Sequence, residues 1–159
     1  MDYTVLGANY FMEVWLSSAL GFDPKNAQAT IYGIGAEPVG FVSSKDVASI
    51  AVASLAVDAC RNRTISGAGP ANLPLLEVVQ IFERSSGRRF TVAHLPEDSL
   101  VAKRRSAGDP LEETFAALML DYASGCPMDM GETLSVVPMH LTSVQNYAGS
   151  VTRLESAYV

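Results

Sequence analysis

Few side chains in this 159-residue sequence are spaced for chemistry. Gly67-Ala68-Gly69-Pro70-Ala71-Asn72, between a strand-like and a helix-like segment, has the look of a phosphate-binding turn, where glycines let backbone approach a pyrophosphate at a helix N-terminus. Against this, Asn72 stands where a third glycine belongs and Pro70 removes a donor. The next strand also ends at His94-Leu95-Pro96 without a ribose-binding acid, so a tight turn is the stronger reading. Gly33-Ile34-Gly35 is a weaker match. Neither a G-x-S-x-G elbow nor an H-E-x-x-H pair occurs. His94 falls on a strand and His140 near a loop, each without a ligand set, and both read as structural or solvated. Asp121, Asp129 and Glu132 put carboxylates near one loop, but nothing pairs them for acid–base work. Cys60 lies at a helix end, away from the positive N-terminus that would activate a thiolate. Cys60 and Cys126 are far apart and in no metal-ligand spacing.

Bulk properties exclude several functions. A net charge of -6 argues against a nucleic-acid or anionic-membrane surface, since phosphate binding needs a basic face. The small basic clusters Arg84, Arg88, Arg89 and Lys103-Arg104-Arg105 read as solvated helix ends. No apolar run approaches the roughly 20 residues that span a bilayer. With no basic, apolar leader after Met1-Asp2-Tyr3, a cytoplasmic chain with reduced thiols is expected. The length suits one domain that buries roughly 70% of its unfolded surface.

The elements that must position these residues are clearest from Gly40 to Cys60. Phe41-Val42 end a short strand, and Ser43-Ser44-Lys45-Asp46 match the capping box that opens a helix. Val47, Ala48, Ile50, Ala51, Val52, Leu55, Ala56 and Ala59 then put small or branched apolar residues on two sides, which predicts a nearly buried central helix. Before it, Tyr3 to Leu6 reads as an abrupt first strand, Asn9 to Leu20 as a turn and short helix, and Gly21 to Ala29 as loop. Thr30 to Tyr32 and Pro38 to Val42 read as strands. Thr64 to Ser66 is another, and Asn72 is expected to cap a helix that has Pro74 in its first turn, an apolar face of Leu75, Val78, Val79 and Phe82, and a stop at Gly87. Phe90 to His94 alternates as a strand, and Pro96 to Arg105 is a weak helix. Asp109-Pro110 starts a better one, with Leu111, Phe115, Leu118, Met119 and Tyr122 on one face. Residues 126–139 read as irregular, and Thr142-Ser143 cap a last short helix. The pattern predicts an α/β to mixed α+β fold: a small sheet of short strands with about five helices, a single domain over 1–150 and a loose tail over 151–159.

This order of segments resembles a known family. TVLGANYFMEVW, IYGIGAEPVGFVSSKDVASIAVASL and RTISGAGPANLPLLEVVQIFERSSGRRFTVAHLP are similar to the C-terminal, substrate-side half of NmrA-like members of the atypical, extended short-chain dehydrogenase/reductases. DPLEETFAALMLDYASGCPMDM and LTSVQNYA look like that group's late helices. The likeness covers nearly the whole chain, and the strand-to-helix start from Val42 to Ala48 is its most specific piece. Relatives begin with a glycine-rich Rossmann half, which this sequence does not contain. Many have Arg-Pro where this chain has Gly7-Ala8. The family's Tyr-x-x-x-Lys is absent too: lysines occur only at 25, 45 and 103, none four after a tyrosine.

By that resemblance, Asn9 and Phe11 match positions near the nicotinamide and substrate. A pocket for a small organic ligand is expected along Asn9, Tyr10, Phe11, Met12 and Trp15, with Val42 and Ser43 at its base; packing alone also accounts for the aromatic density there. No catalytic residue and no metal ligand can be named. The isolated chain is expected to bind no cofactor, with NAD(P) entering only if a partner supplies the Rossmann half. Three functions follow: a free-standing domain binding a small ligand or a protein; an NAD(P)-dependent oxidoreductase completed by a partner subunit; or a structural module or decayed remnant. Edge strands at Tyr3 to Leu6 and Thr64 to Ser66, deprived of neighbours, favour a homodimer.

Overall fold

A computed structural model describes residues 1–156. In chain order, β1 (Thr4–Ala8) and β2 (Tyr10–Phe11) lead into α1 (Met12–Trp15), followed by β3 (Phe22–Asp23), β4 (Gln28–Tyr32), β5 (Pro38–Val42) and α2 (Ser44–Ser54). Next come β6 (Arg63–Gly67), β7 (Asn72–Pro74), α3 (Leu75–Ser86) and β8 (Thr91–Leu95). The helices α4 (Glu97–Arg105), α5 (Pro110–Ser124), α6 (Gly131–Val136) and α7 (Val144–Ser156) complete the described chain. The fold is mixed α/β with small sheets, as the alternating pattern predicts.

Among the described residues three small sheets carry the strands. β1 pairs in parallel with β6, Thr4 opposite Arg63 and Ala8 opposite Gly67. β5 sits between β2, parallel with Tyr10 opposite Phe41, and β7, antiparallel with Val39 opposite Leu73. β4 lies between the antiparallel β3 and the parallel β8. The main core gathers Met12, Phe22, Ile31, Phe41, Val78 and Phe82 between these strands, α3 and α7. A second, smaller core surrounds Ile50, Cys60, Ile65, Met130 and Val137, beneath α2 and α6.

Several boundaries differ from the sequence pattern, each for a tertiary reason. Residues 21–29 are not all loop: Phe22 and Asp23 pair with Ala29 and Gln28, because Phe22 drives into the core against Phe82, ring centroids 4.9 Å apart. Asn72 does not cap α3. It lies in β7, its side chain gripping the backbone of Met128 from both sides, and Pro74 takes the cap position. Gly87 stops α3 in the left-handed conformation, as expected. Residues 131–136 form a short helix inside the stretch read as irregular. The segment over 151–156 is helical, continuing α7, and Val151 packs on the main core; the rest of the expected tail lies outside the described residues.

The larger correction concerns α2, which is not nearly buried. Ile50 is 1% exposed, but Val52 is 70% and Leu55 87% exposed. Only the stripe through Asp46, Ile50 and Ser54 faces inward, because β1 and β6 supply just two strands for the helix to cover. α5 repeats the effect. Ala116, Met119, Tyr122 and Ala123 point inward, whereas Leu111, Phe115 and Leu118, expected on the packed face, lie open to solvent. Among the described residues no helix is long and apolar enough to cross a membrane.

Candidate functional site

The candidate site forms where β2 and β5 end, under the turn from Gly67 to Ala71 and beside the start of α7. β5 delivers Val42 and Ser43 to the mouth of α2, and Ser43 Oγ accepts the Asp46 N–H at 3.1 Å, half of the expected capping box. The reciprocal half is missing. Asp46 turns its carboxylate to Thr142, accepting its N–H at 2.6 Å and its hydroxyl at 3.0 Å, and so ties α2 to the segment that precedes α7. The Ser44 N–H goes instead to Glu13, 3.1 Å from both carboxylate oxygens. An acidic side chain of this protein therefore already fills the positive end of α2, where an anionic ligand would otherwise find its donors.

The glycine-rich turn presses flat on β5. A side chain at Gly69 would place its first carbon 2.3 Å from the Phe41 carbonyl oxygen, so only glycine fits. A Cβ at Gly40 would likewise lie 2.8 Å from Asn72 Oδ1 and 3.0 Å from Asn9 Nδ2. The glycines thus serve contact between backbone and β5, and the helix after them begins only at Leu75. In a phosphate-binding turn the helix would open directly on the glycines; here a strand intervenes.

The residues singled out by resemblance divide among several duties. Asn9 is a tether: its N–H donates to Gly67 and its side-chain amide to the Cys126 carbonyl, 2.8 Å away. Phe11 and Val42 face each other in the β2–β5 register, and Val42 is fully buried. Tyr10 and Trp15 enter an aromatic cluster with Tyr122, Trp15 stacking on Tyr122 at 4.5 Å and Tyr10 meeting both edge-on. Met12 alone of the set lines a cavity of about 180 Å³. Phe41, Leu73 and Ile81 complete its apolar floor, Pro70 and Ala71 close one side, and Ser143 and Gln145 give it a polar rim.

Electrostatics add little reactivity. The Tyr10 hydroxyl donates to the Asp121 carboxylate; burial first, then this bond, push the phenol well above its ordinary pKa. Burial raises Tyr32, Tyr147 and, most strongly, Tyr122, whose buried hydroxyl has no hydrogen-bond partner among the described residues. These phenols stay protonated at neutral pH, available as donors and not as bases. His94 Nδ1 lies 3.1 Å from the Gly33 carbonyl. Asp129 accepts the Gly131 N–H at the start of α6, Glu132 pairs with Arg63 at 3.2 Å, and Asp121 serves Tyr10, so the three carboxylates act separately. Among the described residues no group of three or more His, Cys, Asp or Glu could hold a metal ion.

The sequence pattern passed over Glu13 and the Cys126 backbone and read Thr142 only as part of a helix cap, yet all three fasten the site. An acid at the third helical position of α2 is a local signal, but its bond to a residue 96 positions away has none.

No protein-family model matches the chain. A curated relative, agroclavine dehydrogenase of Claviceps fusiformis, is 30% identical over 123 residues, which is 76% of this chain and 43% of the relative. The chain superposes on leucoanthocyanidin reductase from Vitis vinifera in a ternary complex with TM-score 0.78 and 18% identity, covering 96% of this chain and 56% of that one. An Escherichia coli NADPH-dependent quinone oxidoreductase complexed with NADPH gives TM-score 0.72 and 19% identity over 95% of this chain and 54% of that one. The chain spans under half the length of its curated relative and little more than half of these structures. It has the fold of about half of an NAD(P)-binding reductase.

Proposed function

We propose that this chain is a substrate-side domain that binds a small, largely apolar organic molecule in the cavity between Met12, Phe41 and the start of α7, and that it has no dinucleotide site of its own. The observation that carries the proposal is the cavity itself, an apolar floor with a narrow polar rim at the strand ends, which is how small-molecule sites are generally built. Its volume of about 180 Å³ lies below the roughly 300–1,000 Å³ of drug-sized sites, which limits the ligand to one or two rings and leaves no room for a nucleotide. The closed contact of Gly69 on Phe41 and the occupation of the α2 N-terminus by Glu13 argue against phosphate binding by these segments.

The experiment is methyl NMR of the labelled chain, titrated with naphthoquinone and indole as probes. Shifts confined to Met12, Leu73 and Ile81 are expected. No shift up to the probes' solubility, or shifts scattered over the surface, would sink the proposal.

A second reading is an NAD(P)-dependent oxidoreductase in which another polypeptide segment supplies the cofactor half. It is favoured by the 30% identity to a dehydrogenase and by the likeness to a structure complexed with NADPH. In that arrangement the cofactor supplies the hydride, and this chain's part is to hold the acceptor.

A further inference from the structure

The walls of the cavity are not all held alike. Phe41 lies on β5, which is paired on both sides, Leu73 on β7, and Ile81 on α3 within the main core. The rim is held differently. Ser143, Val144 and Gln145 stand where α7 begins, after a stretch over 138–143 without regular secondary structure. Met139 and Leu141 pack on the smaller core and Val144 belongs to the main one, so the chain crosses between the cores here. Among the described residues, the only hydrogen bonds from 138–143 to another element run from Thr142 to Asp46, at 2.6 and 3.0 Å. The glycine-rich turn leans on the same residue. A side chain at Gly69 would place its first carbon 3.6 Å from the Thr142 carbonyl oxygen, and Pro70 and Ala71 continue from there into the wall. On the opposite side Glu13, next to Met12, accepts the Ser44 N–H and, after burial, helps to raise the Tyr147 phenol in the first turn of α7.

We infer that Asp46 is a positioning residue for the cavity: from the first turn of α2 it fixes the rim at the start of α7 against the floor on β5, β7 and α3. The inference rests on the reading of this cavity as a ligand site. An acid at this place in a capping box would turn back to the Ser43 N–H. Asp46 forgoes that local bond and reaches a residue 96 positions away. Its carboxylate is buried, and each oxygen takes one donor of Thr142, which fixes both the place and the rotation of that residue. Thr142 in turn sets where Ser143 and Val144 face the floor and where the turn carrying Pro70 and Ala71 comes to rest. A site held by such supporting bonds keeps its shape before a ligand arrives.

The test follows the methyl shifts of Met12, Leu73 and Ile81 in the 159-residue chain during titration with naphthoquinone and, separately, under xenon pressure. Xenon enters apolar space whatever ligand a cavity serves, so it reads the wall independently of the ring probes. Asp46→Ala should weaken both by about tenfold or more, the scale of losing hydrogen bonds to a charged group. Thr142→Val, which deletes only the hydroxyl bond, should weaken both by about threefold and serves if the alanine variant does not fold. Asp46→Asn should bind within about twofold of the parent, because its amide can accept the Thr142 N–H and donate to the Thr142 hydroxyl oxygen. Leu100→Ala controls for stability: Leu100 is buried on α4 outside both cores, and its loss destabilises the fold while binding should stay that of the parent. Unchanged binding in Asp46→Ala or Thr142→Val overturns the inference. So does equal weakening in Leu100→Ala, or no recovery in Asp46→Asn. If xenon loses affinity in Asp46→Ala while naphthoquinone and indole bind no form of the chain, the ligand reading fails and the positioning role stands. No response to any of the probes overturns both.

Discussion

Two residues test how polar groups are managed in the interior. Tyr122 buries its hydroxyl without a hydrogen-bond partner among the described residues, in a cluster where Trp15 stacks on its ring. An unsatisfied buried hydroxyl costs about 1–3 kcal/mol, so Tyr122→Phe should leave stability unchanged or raise it by about 1 kcal/mol in urea unfolding. Asp46 is the opposite case. Its carboxylate is buried and serves two Thr142 donors. Asp46→Ala should cost about 2–3 kcal/mol, the scale of losing hydrogen bonds to a charged group. Ser43→Ala, which removes only the cap, should cost about 1 kcal/mol.

The phenols also set a pH dependence. Tyr10, Tyr32, Tyr122 and Tyr147 are all raised by burial, and Tyr10 further by Asp121. The folded state therefore holds protons that the unfolded chain releases near pH 10, and stability falls as pH rises above that value. Urea midpoints should not vary with phenol ionisation below about pH 9 and should drop beyond about pH 10. Tyr122→Phe should flatten the drop.

At the scale of elements, what is local was legible and what is paired at a distance was not. The start of α2 at Ser43, the start of α5 at Asp109-Pro110 and the stop at Gly87 depend on side chains within four residues, and each stands where the sequence puts it. β3 and β7 have two and three residues, too few for any periodicity, and exist because a partner strand fixes them. Asn72 carries a capping residue's signature yet spends its side chain on Met128, because β7 is already held by β5. The site divides the same way. Of the seven residues expected there by resemblance only Met12 lines the cavity, whereas Phe41, Leu73, Ile81 and Gln145 reach it only through the fold.

The turn over β5 gives the sharpest element-scale expectation. Gly69→Ala should destabilise by about 2–4 kcal/mol, because the contact with the Phe41 carbonyl cannot relax without lifting the turn off the strand. Phe115→Gln, on the open side of α5, should change stability by no more than about 0.5 kcal/mol. Thermal unfolding of the two variants separates a packed turn from an uncovered helix face.

At the scale of the whole molecule, the two cores have different standing. The main core closes on itself around Phe22, Phe41 and Phe82, with α3 and α7 covering the strands. The smaller core is covered by α2 on a stripe only one residue wide per turn, next to a strand with a free edge. Apolar residues on two sides of α2 were visible in sequence, but which side stays open depends on how many strands lie beneath it. In the reductases of matching fold, this chain corresponds to about half of the polypeptide. The cavity lies in the closed core and the open face of α2 over the other.

The central claim is that these residues form a ligand-side domain without a dinucleotide site, and fluorescence titration of NADPH and NADH into the 159-residue chain tests it most directly. A domain of this kind gives no saturable enhancement or quenching up to about 100 µM cofactor, and its melting temperature does not move. Saturable binding with a Kd in the low micromolar range would contradict the claim and return the Gly67 to Asn72 turn to consideration as a phosphate site.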